Sequence, residues 1–282
     1  MLVKRTILTV LLLAGIGALL YMDYRLETDF GFNIIIFLAV VMSVQEFYDL
    51  TRQKGYTPYS VWGTLCAGLM VLADWLGHRE FHPELHWTGI AGFVFLCGLF
   101  VLQGWLRPRE RGVVSMAVTA FGIVYIWGLA HFIVRIRYLE PDIVGIRGVL
   151  LLVAVIKVSD IMAYLIGHGW GRHHPFPHVS PKKSWEGYAG GFIGSMVAGI
   201  LAGQALFGMP WGEALLFSVP VCVFGHLGDL AESVIKRDLD AKDSAVRFPG
   251  LGGVLDVFDS LFLGGPVAFY VLEQMSRMKM LG

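Results

Sequence analysis

Charged side chains are concentrated in one segment of this chain, residues 228–260, which holds eleven of them in thirty-three residues. If the first part of this segment is helical, at about 100° per residue, six polar side chains fall on one face within roughly 140°. They are Asp229, Glu232, Ser233, Lys236, Arg237 and Asp240. Such a face can hold a metal ion at its carboxylates and phosphate groups at its cations, which is chemistry typical of nucleotide-dependent reactions.

The elements that must position these groups are apolar. Hydrophobic residues make up 56% of the chain, its mean hydropathy is +0.64, and only 16% of its residues are charged, against about 25% in a soluble domain. This composition predicts an all-α polytopic membrane protein. The formal net charge is zero, so nothing in the overall charge favours a nucleic-acid partner.

Nine apolar runs approach the roughly 20 residues that a helix needs to cross the hydrocarbon core. They lie near residues 6–22, 31–47, 59–76, 88–106, 113–134, 145–167, 188–207, 212–232 and 254–274. We expect about nine transmembrane helices around a cavity open to the cytoplasm and the bilayer. We expect residues 1–140 to form a scaffold, with Asp74 close enough to a span end to reach the interface, and residues 141–282 to form the catalytic region of the same integral membrane unit.

The distribution of lysine and arginine predicts the orientation of the spans. With the N-terminus in the cytoplasm, inside loops hold fourteen of these residues and outside segments hold seven. The loops that follow the sixth and eighth predicted spans then face the cytoplasm, where nucleotides are found.

Lys157 and Asp160 lie three residues apart within the sixth span. Because ionisable residues are costly inside a membrane, we expect this pair to line a wet cavity.

Several segments that combine charged residues with glycine or serine follow one another in the second half of the chain. They are Asp160-Ile-Met-Ala-Tyr164, Ser180-Pro-Lys-Lys-Ser-Trp-Glu-Gly187, Ser233-Val-Ile-Lys236-Arg237, Lys242-Asp243-Ser244, Pro249-Gly-Leu-Gly-Gly253 and Asp256-Val-Phe-Asp259-Ser260. Together they resemble the signature of phosphatidate cytidylyltransferases, the CDP-diacylglycerol synthases. The match covers roughly residues 155–262, and several blocks in the same order seldom coincide by chance. Two positions depart from the family pattern, because Leu251 and Val257 stand where the family usually has histidine and arginine. Neighbours such as His226, Lys242 or Arg247 compensate for them, or the activity is altered.

The resemblance implies transfer of a cytidylyl group from CTP to phosphatidic acid, which gives CDP-diacylglycerol and pyrophosphate in phospholipid biosynthesis. It implies Mg²⁺ as cofactor, with a second cation left open, and Asp229 and Asp256 as the best candidate ligands. The residues then expected to act in catalysis are Asp229, Asp256, Lys236 and Arg237. Those expected to contact substrates are Asp160, Ser180, Lys182, Lys183, Glu186, Ser233, Lys242, Asp243, Gly250, Gly252, Gly253 and Asp259.

Other functions remain open at this point. A CTP-dependent kinase of a polyprenol or another lipid alcohol would use similar groups, but it would need a base to remove a proton from the alcohol. A non-catalytic member of the family is a further alternative because of Leu251 and Val257. A transporter would distribute its charged residues through both halves, whereas here they collect at one predicted face.

The expected partners are CTP, phosphatidic acid and the lipid bilayer, and a homodimer is possible. The expected location is a bacterial cytoplasmic (inner) membrane with the active site facing the cytoplasm.

Overall fold

The computed structural model describes residues 15–79, 85–106, 111–139, 145–241 and 253–281, and every regular element within these ranges is a helix. Helix α1 covers residues 15–26 of the described chain. The others are α2 (Phe30–Gln53), α3 (Ser60–His78), α4 (Trp87–Leu106), α5 (Gly112–Arg137), α6 (Gly145–Trp170), α7 (Trp185–Phe207), α8 (Trp211–Asp238) and α9 (Val254–Leu281). Helix α5 contains one π-helical turn, Ile123–Trp127.

The helices α2 to α9 are each long and apolar enough to cross a membrane, so the predicted all-α polytopic membrane protein is confirmed. The first predicted span, residues 6–22, lies largely outside the described residues. Three predicted spans were too short, because α2 continues to Gln53, α8 to Asp238 and α9 to Leu281. Hydropathy detects only the apolar part of a helix, and these three ends contain charged residues. The prediction that Asp240 lies on the helix was wrong, since its φ of 55° takes the chain out of the helical conformation.

The chain forms two compact units. The first comprises Met1–Val134 together with Leu239–Val257, and the second comprises Arg135–Asp238 together with Phe258–Gly282. The residues directly after α8, 239–241, and the start of α9 therefore belong with the N-terminal helices. The charged segment 228–260 is divided between the two units.

Tyr48 is a core residue of the first unit. It is completely buried, and its hydroxyl donates a hydrogen bond of 2.8 Å to the Thr119 carbonyl. A Cβ added at Gly63 would lie 2.3 Å from the Tyr48 hydroxyl oxygen, and one at Gly122 would lie 2.7 Å from its ring. These two glycines let α3 and α5 pack directly against the tyrosine of α2.

Asp74 is also part of the first unit's interior. The expectation that it reaches the interface was wrong, since it is 1% exposed. Its carboxylate accepts hydrogen bonds from Thr88 Oγ1 at 2.9 Å and from Trp127 Nε1 at 3.0 Å, and His131 Nδ1 lies 3.0 Å away. Three neighbouring polar groups thus offset the loss of water around a buried carboxylate.

The second unit is built on the close contact of α6 with α7. Glycines on α7 make this contact possible, because a Cβ at Gly187 would lie 2.9 Å from the Ala163 carbonyl oxygen. At Gly191 a Cβ would lie 3.0 Å from the Ser159 carbonyl oxygen. Helix α7 therefore lies directly against the half of α6 that carries Lys157 and Asp160.

Candidate active site

Three carboxylates of the second unit form a compact cluster. Asp229 and Glu232 lie three residues apart on α8, which places them on one face, and Asp259 lies on α9. One oxygen atom from each lies within 4.8 Å of the others. The two helices approach closely at Gly228, where an added Cβ would lie only 2.5 Å from the Asp259 carbonyl oxygen. Oxygen atoms grouped in this way suit a hard divalent cation.

Two lysines are paired with this cluster. Lys183 Nζ lies 2.8 Å from Asp229 Oδ2, and Lys236 Nζ lies 2.6 Å from Glu232 Oε2. Glu232 is 1% exposed, and a carboxylate buried so deeply requires a cation or hydrogen-bond donors to offset its lost hydration. The cluster therefore combines negative ligand atoms with cations that suit phosphate oxygens.

Asp160 adjoins the cluster through a serine hydroxyl. Ser260 Oγ lies 2.9 Å from Asp259 Oδ1 and 3.4 Å from Asp160 Oδ2. Lys157 Nζ lies 3.4 Å from the same Asp160 oxygen. The expected pair within α6 is therefore present, and it stands one hydroxyl away from the acidic cluster.

A cavity of about 720 Å³ opens beside these groups in the second unit. Residues from α6, α7, α8 and the loop before α7 line it, and charged groups stand within a largely apolar wall. The lining residues are Asp160, Ala163, Tyr164, Gly167, His168, His174, Ser180, Pro181, Lys182, Lys183, Ser184, Gly187, Tyr188, His226 and Asp229. Its volume lies in the usual range for small-molecule sites.

Side-chain hydrogen bonds stabilise the loop between α6 and α7, residues 171–184, near both of its ends. Glu186 accepts hydrogen bonds from the backbone N–H groups of Arg172 and His173 at 3.1 and 3.3 Å, and its other oxygen lies 2.6 Å from His173 Nδ1. Ser184 caps α7 by accepting the Gly187 N–H at 3.1 Å. Glu186 thus stabilises the loop that carries Lys182 and Lys183. The predicted contact of Glu186 with substrate stays a prediction.

The structure brings many of the predicted site residues together. Five of them line the cavity: Asp160, Ser180, Lys182, Lys183 and Asp229. Asp259 belongs to the carboxylate cluster, and Lys236 is paired with Glu232. Arg237 Nε donates to the Val179 carbonyl at 3.0 Å, which ties α8 to the loop. Ser233 lies on α8 without lining the cavity.

The remaining predicted residues lie elsewhere or outside the described chain. Gly253 and Asp256 belong to the first unit, where Asp256 Oδ2 accepts the Gly253 N–H at 2.9 Å. Lys242, Asp243, Gly250 and Gly252, together with Leu251, lie outside the described residues. Nothing in the described structure explains the valine at position 257.

Two residues of the site were not assigned to it from the sequence. Glu232 was placed on the charged face but not among the metal ligands, although its spacing of three from Asp229 is a signal for a shared site. His226 was named only as a neighbour that could replace the missing family histidine. It lines the cavity, its Nε2 lies 3.2 Å from Ser159 Oγ, and its ring meets Tyr188 edge to face at 5.0 Å.

Comparisons with known proteins identify the family to which the chain belongs. A model described as "Cytidylyltransferase family" matches residues 3–275. Phosphatidate cytidylyltransferase 5, chloroplastic, of Arabidopsis thaliana is 31% identical over 272 residues, which cover 84% of this chain and 65% of the plant protein. Phosphatidate cytidylyltransferase of Bacillus subtilis (strain 168) is 29% identical over 281 residues, 97% of this chain and 98% of that one.

A third relative is the uncharacterized protein YnbB of Escherichia coli (strain K12), which is 42% identical over 243 residues, 86% of this chain and 78% of that one. The match of the family model extends far beyond the motif blocks, since it includes the N-terminal helices. The resemblance seen in those blocks is thereby confirmed. This integral membrane protein belongs to the cytidylyltransferase family.

Proposed function

We propose that this protein transfers a cytidylyl group from CTP to phosphatidic acid, giving CDP-diacylglycerol and pyrophosphate. The observation that carries the proposal is the cavity of the second unit, where Asp160, Lys183 and Asp229 converge within the stretch that resembles phosphatidate cytidylyltransferases. Relatives with that name cover nearly the whole chain. Both substrates are polyanions, and this cavity combines cations with carboxylates that can hold a counter-ion.

The reaction needs little proton chemistry. A phosphate oxygen of phosphatidic acid attacks the α-phosphorus of CTP, a new P–O bond forms, and the bond to the β-phosphate oxygen breaks to release pyrophosphate. The attacking oxygen is already ionised near pH 7, so no general base is required. Catalysis then consists mainly of holding the two substrates in line and neutralising charge on the transferring phosphorus and the leaving group.

Lys183 is the cation best placed for this role. Its ammonium group is held at 2.8 Å by Asp229, and its side chain is only 20% exposed within the cavity wall. A held cation loses less freedom when it meets a phosphate than a solvated one does. Ser180 and Lys182 line the same cavity and supply further phosphate contacts.

The carboxylate cluster suits Mg²⁺. Its three members offer hard oxygen atoms close enough together to share one ion, and Mg²⁺ in enzymes is commonly held by one or two carboxylates together with substrate phosphates. Asp229, Glu232 and Asp259 would hold it. The role of Asp256 as a metal ligand, expected from the sequence, stays a prediction. When bound, the ion would neutralise phosphate charge and polarise the reacting phosphorus. A second cation is not required by this ligand set.

The distribution of lysine and arginine bears on how the protein is oriented in the membrane. The excess of lysine and arginine in the loops after the sixth and eighth predicted spans favours a cytoplasmic face for the site. That face has access to CTP, while the substrate lipid is supplied by the bilayer. We place the protein in a bacterial cytoplasmic membrane with this orientation. Every residue used above comes from one chain, so the proposed reaction does not require a second copy. The homodimer stays a prediction.

The test is product analysis with purified full-length protein. CTP labelled at the α-phosphate, phosphatidic acid and Mg²⁺ should give a lipid-linked label and stoichiometric pyrophosphate. Asp229→Asn, run in parallel, should abolish both. A lipid alcohol that becomes phosphorylated with release of CDP would favour the kinase instead, and absence of any lipid-linked label in the unmutated protein would refute the proposal.

A further inference from the structure

Helix α2 carries a carboxylate that belongs to none of the motifs in the sequence. Glu46 lies well within the helix and is completely buried, with 0% exposure. A buried carboxylate is costly unless donors surround it. The hydrogen-bond partners of Glu46 therefore indicate its role.

Those partners are backbone groups at the start of α9. The two oxygens of Glu46 accept the N–H groups of Val254 and Leu255, each at 3.0 Å, from a position 208 or 209 residues earlier in the chain. The first N–H groups of a helix have no acceptor within the helix, and a negative charge there also complements the helix dipole. The preceding residue is Gly253, which has no side chain to cap them. Glu46 supplies the missing cap.

The same turn contains the start of the segment Asp256-Val-Phe-Asp259-Ser260, the acidic motif. Asp256 reaches back to the Gly253 N–H at 2.9 Å, in the manner of the second half of a capping box. Two carboxylates, Glu46 and Asp256, thus fix three successive N–H groups. The direction in which this turn presents Asp256 depends on both.

A second contact joins the end of α2 to the residues that follow α8 in the chain. Lys54, the residue after α2, forms an ion pair with Asp240, whose φ is positive. Glu46 and Lys54 are eight residues apart, about 12 Å along the helix axis. Glu46 and Lys54 therefore contact the described residues on both sides of 242–252, with the buried contact at Glu46 and the exposed one at Lys54.

We propose that Glu46 is a positioning residue for cytidylyl transfer, acting through the first turn of α9 on Gly253 and Asp256. The inference rests on the function proposed above. It predicts that loss of the Glu46 charge impairs use of CTP, because Asp256 and Gly253 belong to the segments expected to meet the metal and the nucleotide. A cap that served stability alone would lower only the amount of folded protein.

Asp23 provides a matched control within the same unit. Its carboxylate accepts the Gly31 N–H at 2.9 Å and the Phe32 N–H at 2.8 Å in the first turn of α2. Asp23 is also buried, at 8% exposure. Asp23→Asn therefore removes the same kind of cap away from the acidic motif.

The experiment compares Glu46→Gln, Glu46→Asp and Asp23→Asn in full-length protein. The readouts are kcat, the KM values for CTP and phosphatidic acid, and the rise in melting temperature caused by CTP with Mg²⁺. Glu46→Gln should lower kcat/KM for CTP by about tenfold or more and reduce the CTP-induced rise, with the KM for phosphatidic acid unchanged. Glu46→Asp should restore part of both. Asp23→Asn should lower the melting temperature and leave both KM values as in the unmutated protein.

Glu46→Gln with the unmutated KM for CTP and the full CTP-induced stabilisation would overturn the proposal. If that variant does not fold, Glu46→Asp carries the same test: an altered KM for CTP supports the role, and an unaltered one refutes it. Failure of the unmutated protein to form CDP-diacylglycerol would instead refute the proposed function. The stabilisation by CTP still tests Glu46 in that case.

Discussion

Gly228→Ala tests whether the contact of α8 with α9 sets the geometry of the carboxylate cluster. Gly228 directly precedes Asp229, and its Cα faces the backbone of Asp259. An added Cβ would lie 2.5 Å from the Asp259 carbonyl oxygen and 3.1 Å from the Ser260 Cα. Both atoms belong to the backbone, so no side-chain rotation relieves the overlap.

The size of the effect follows from these distances. Ordinary contact begins near 3.4 Å, so the two helices must separate by 3.4 − 2.5 = 0.9 Å at this point. Overpacking of this kind costs about 1–3 kcal/mol of stability. A displacement of about 1 Å between reacting groups can cost about 100-fold in rate. We therefore expect kcat/KM to fall by about 100-fold while the protein still folds.

Gly225→Ala is the matched control, one turn earlier on the same helix. Its Cβ would lie 3.4 Å from an Ile156 side-chain atom and 3.7 Å from the Ser260 carbonyl oxygen, both ordinary contacts. Cytidylyl transfer and thermal unfolding of both variants, measured in the same detergent, give the comparison. If Gly228→Ala keeps the activity of Gly225→Ala, the close helix contact does not control the cluster and the reasoning is refuted.

Two further variants test the charges of the site. Glu232→Gln should raise the Mg²⁺ concentration that gives half-maximal activity by at least about tenfold, since it removes one ligand charge; an unchanged Mg²⁺ titration would exclude Glu232 as a ligand. Lys183→Met should lower kcat/KM by about 10- to 100-fold, the equivalent of a charged hydrogen bond worth about 1.5–3 kcal/mol. Lys182→Met should cost less because Lys182 is exposed, and equal losses would contradict the special role given to Lys183.

The helices could be predicted because membrane insertion depends on local composition. The predicted spans 88–106 and 145–167 correspond to α4 (Trp87–Leu106) and α6 (Gly145–Trp170). Only helix ends were misjudged, as at Asp238, where charged residues continue the helix beyond its apolar part. Hydropathy contains no information about that extension.

The acidic site was only partly predictable. The spacing of Asp229 and Glu232 is visible in the chain, yet the sequence favoured Asp256 as the partner of Asp229, whereas the structure groups Asp229 with Glu232 and Asp259. Glu46 lies inside the predicted span 31–47, where an ionisable residue is costly, but the sequence does not indicate its partners, the N–H groups of Val254 and Leu255. Asp74 was misjudged for the same reason, since its three partners come from other helices.

The membrane-spanning helices and the family could be inferred from the chain alone, because hydropathy and motif spacing are properties of neighbouring residues. The pairing of distant charges could not, because it depends on how the helices pack. Asp160 and Ser260 are 100 residues apart, and Glu46 and Val254 are 208 apart. Such contacts depend on which helix faces touch and on where glycines such as Gly228 allow close approach. The packing of the helices therefore determines which carboxylates form the candidate site. It also brings Glu46 of α2 into contact with the first turn of α9.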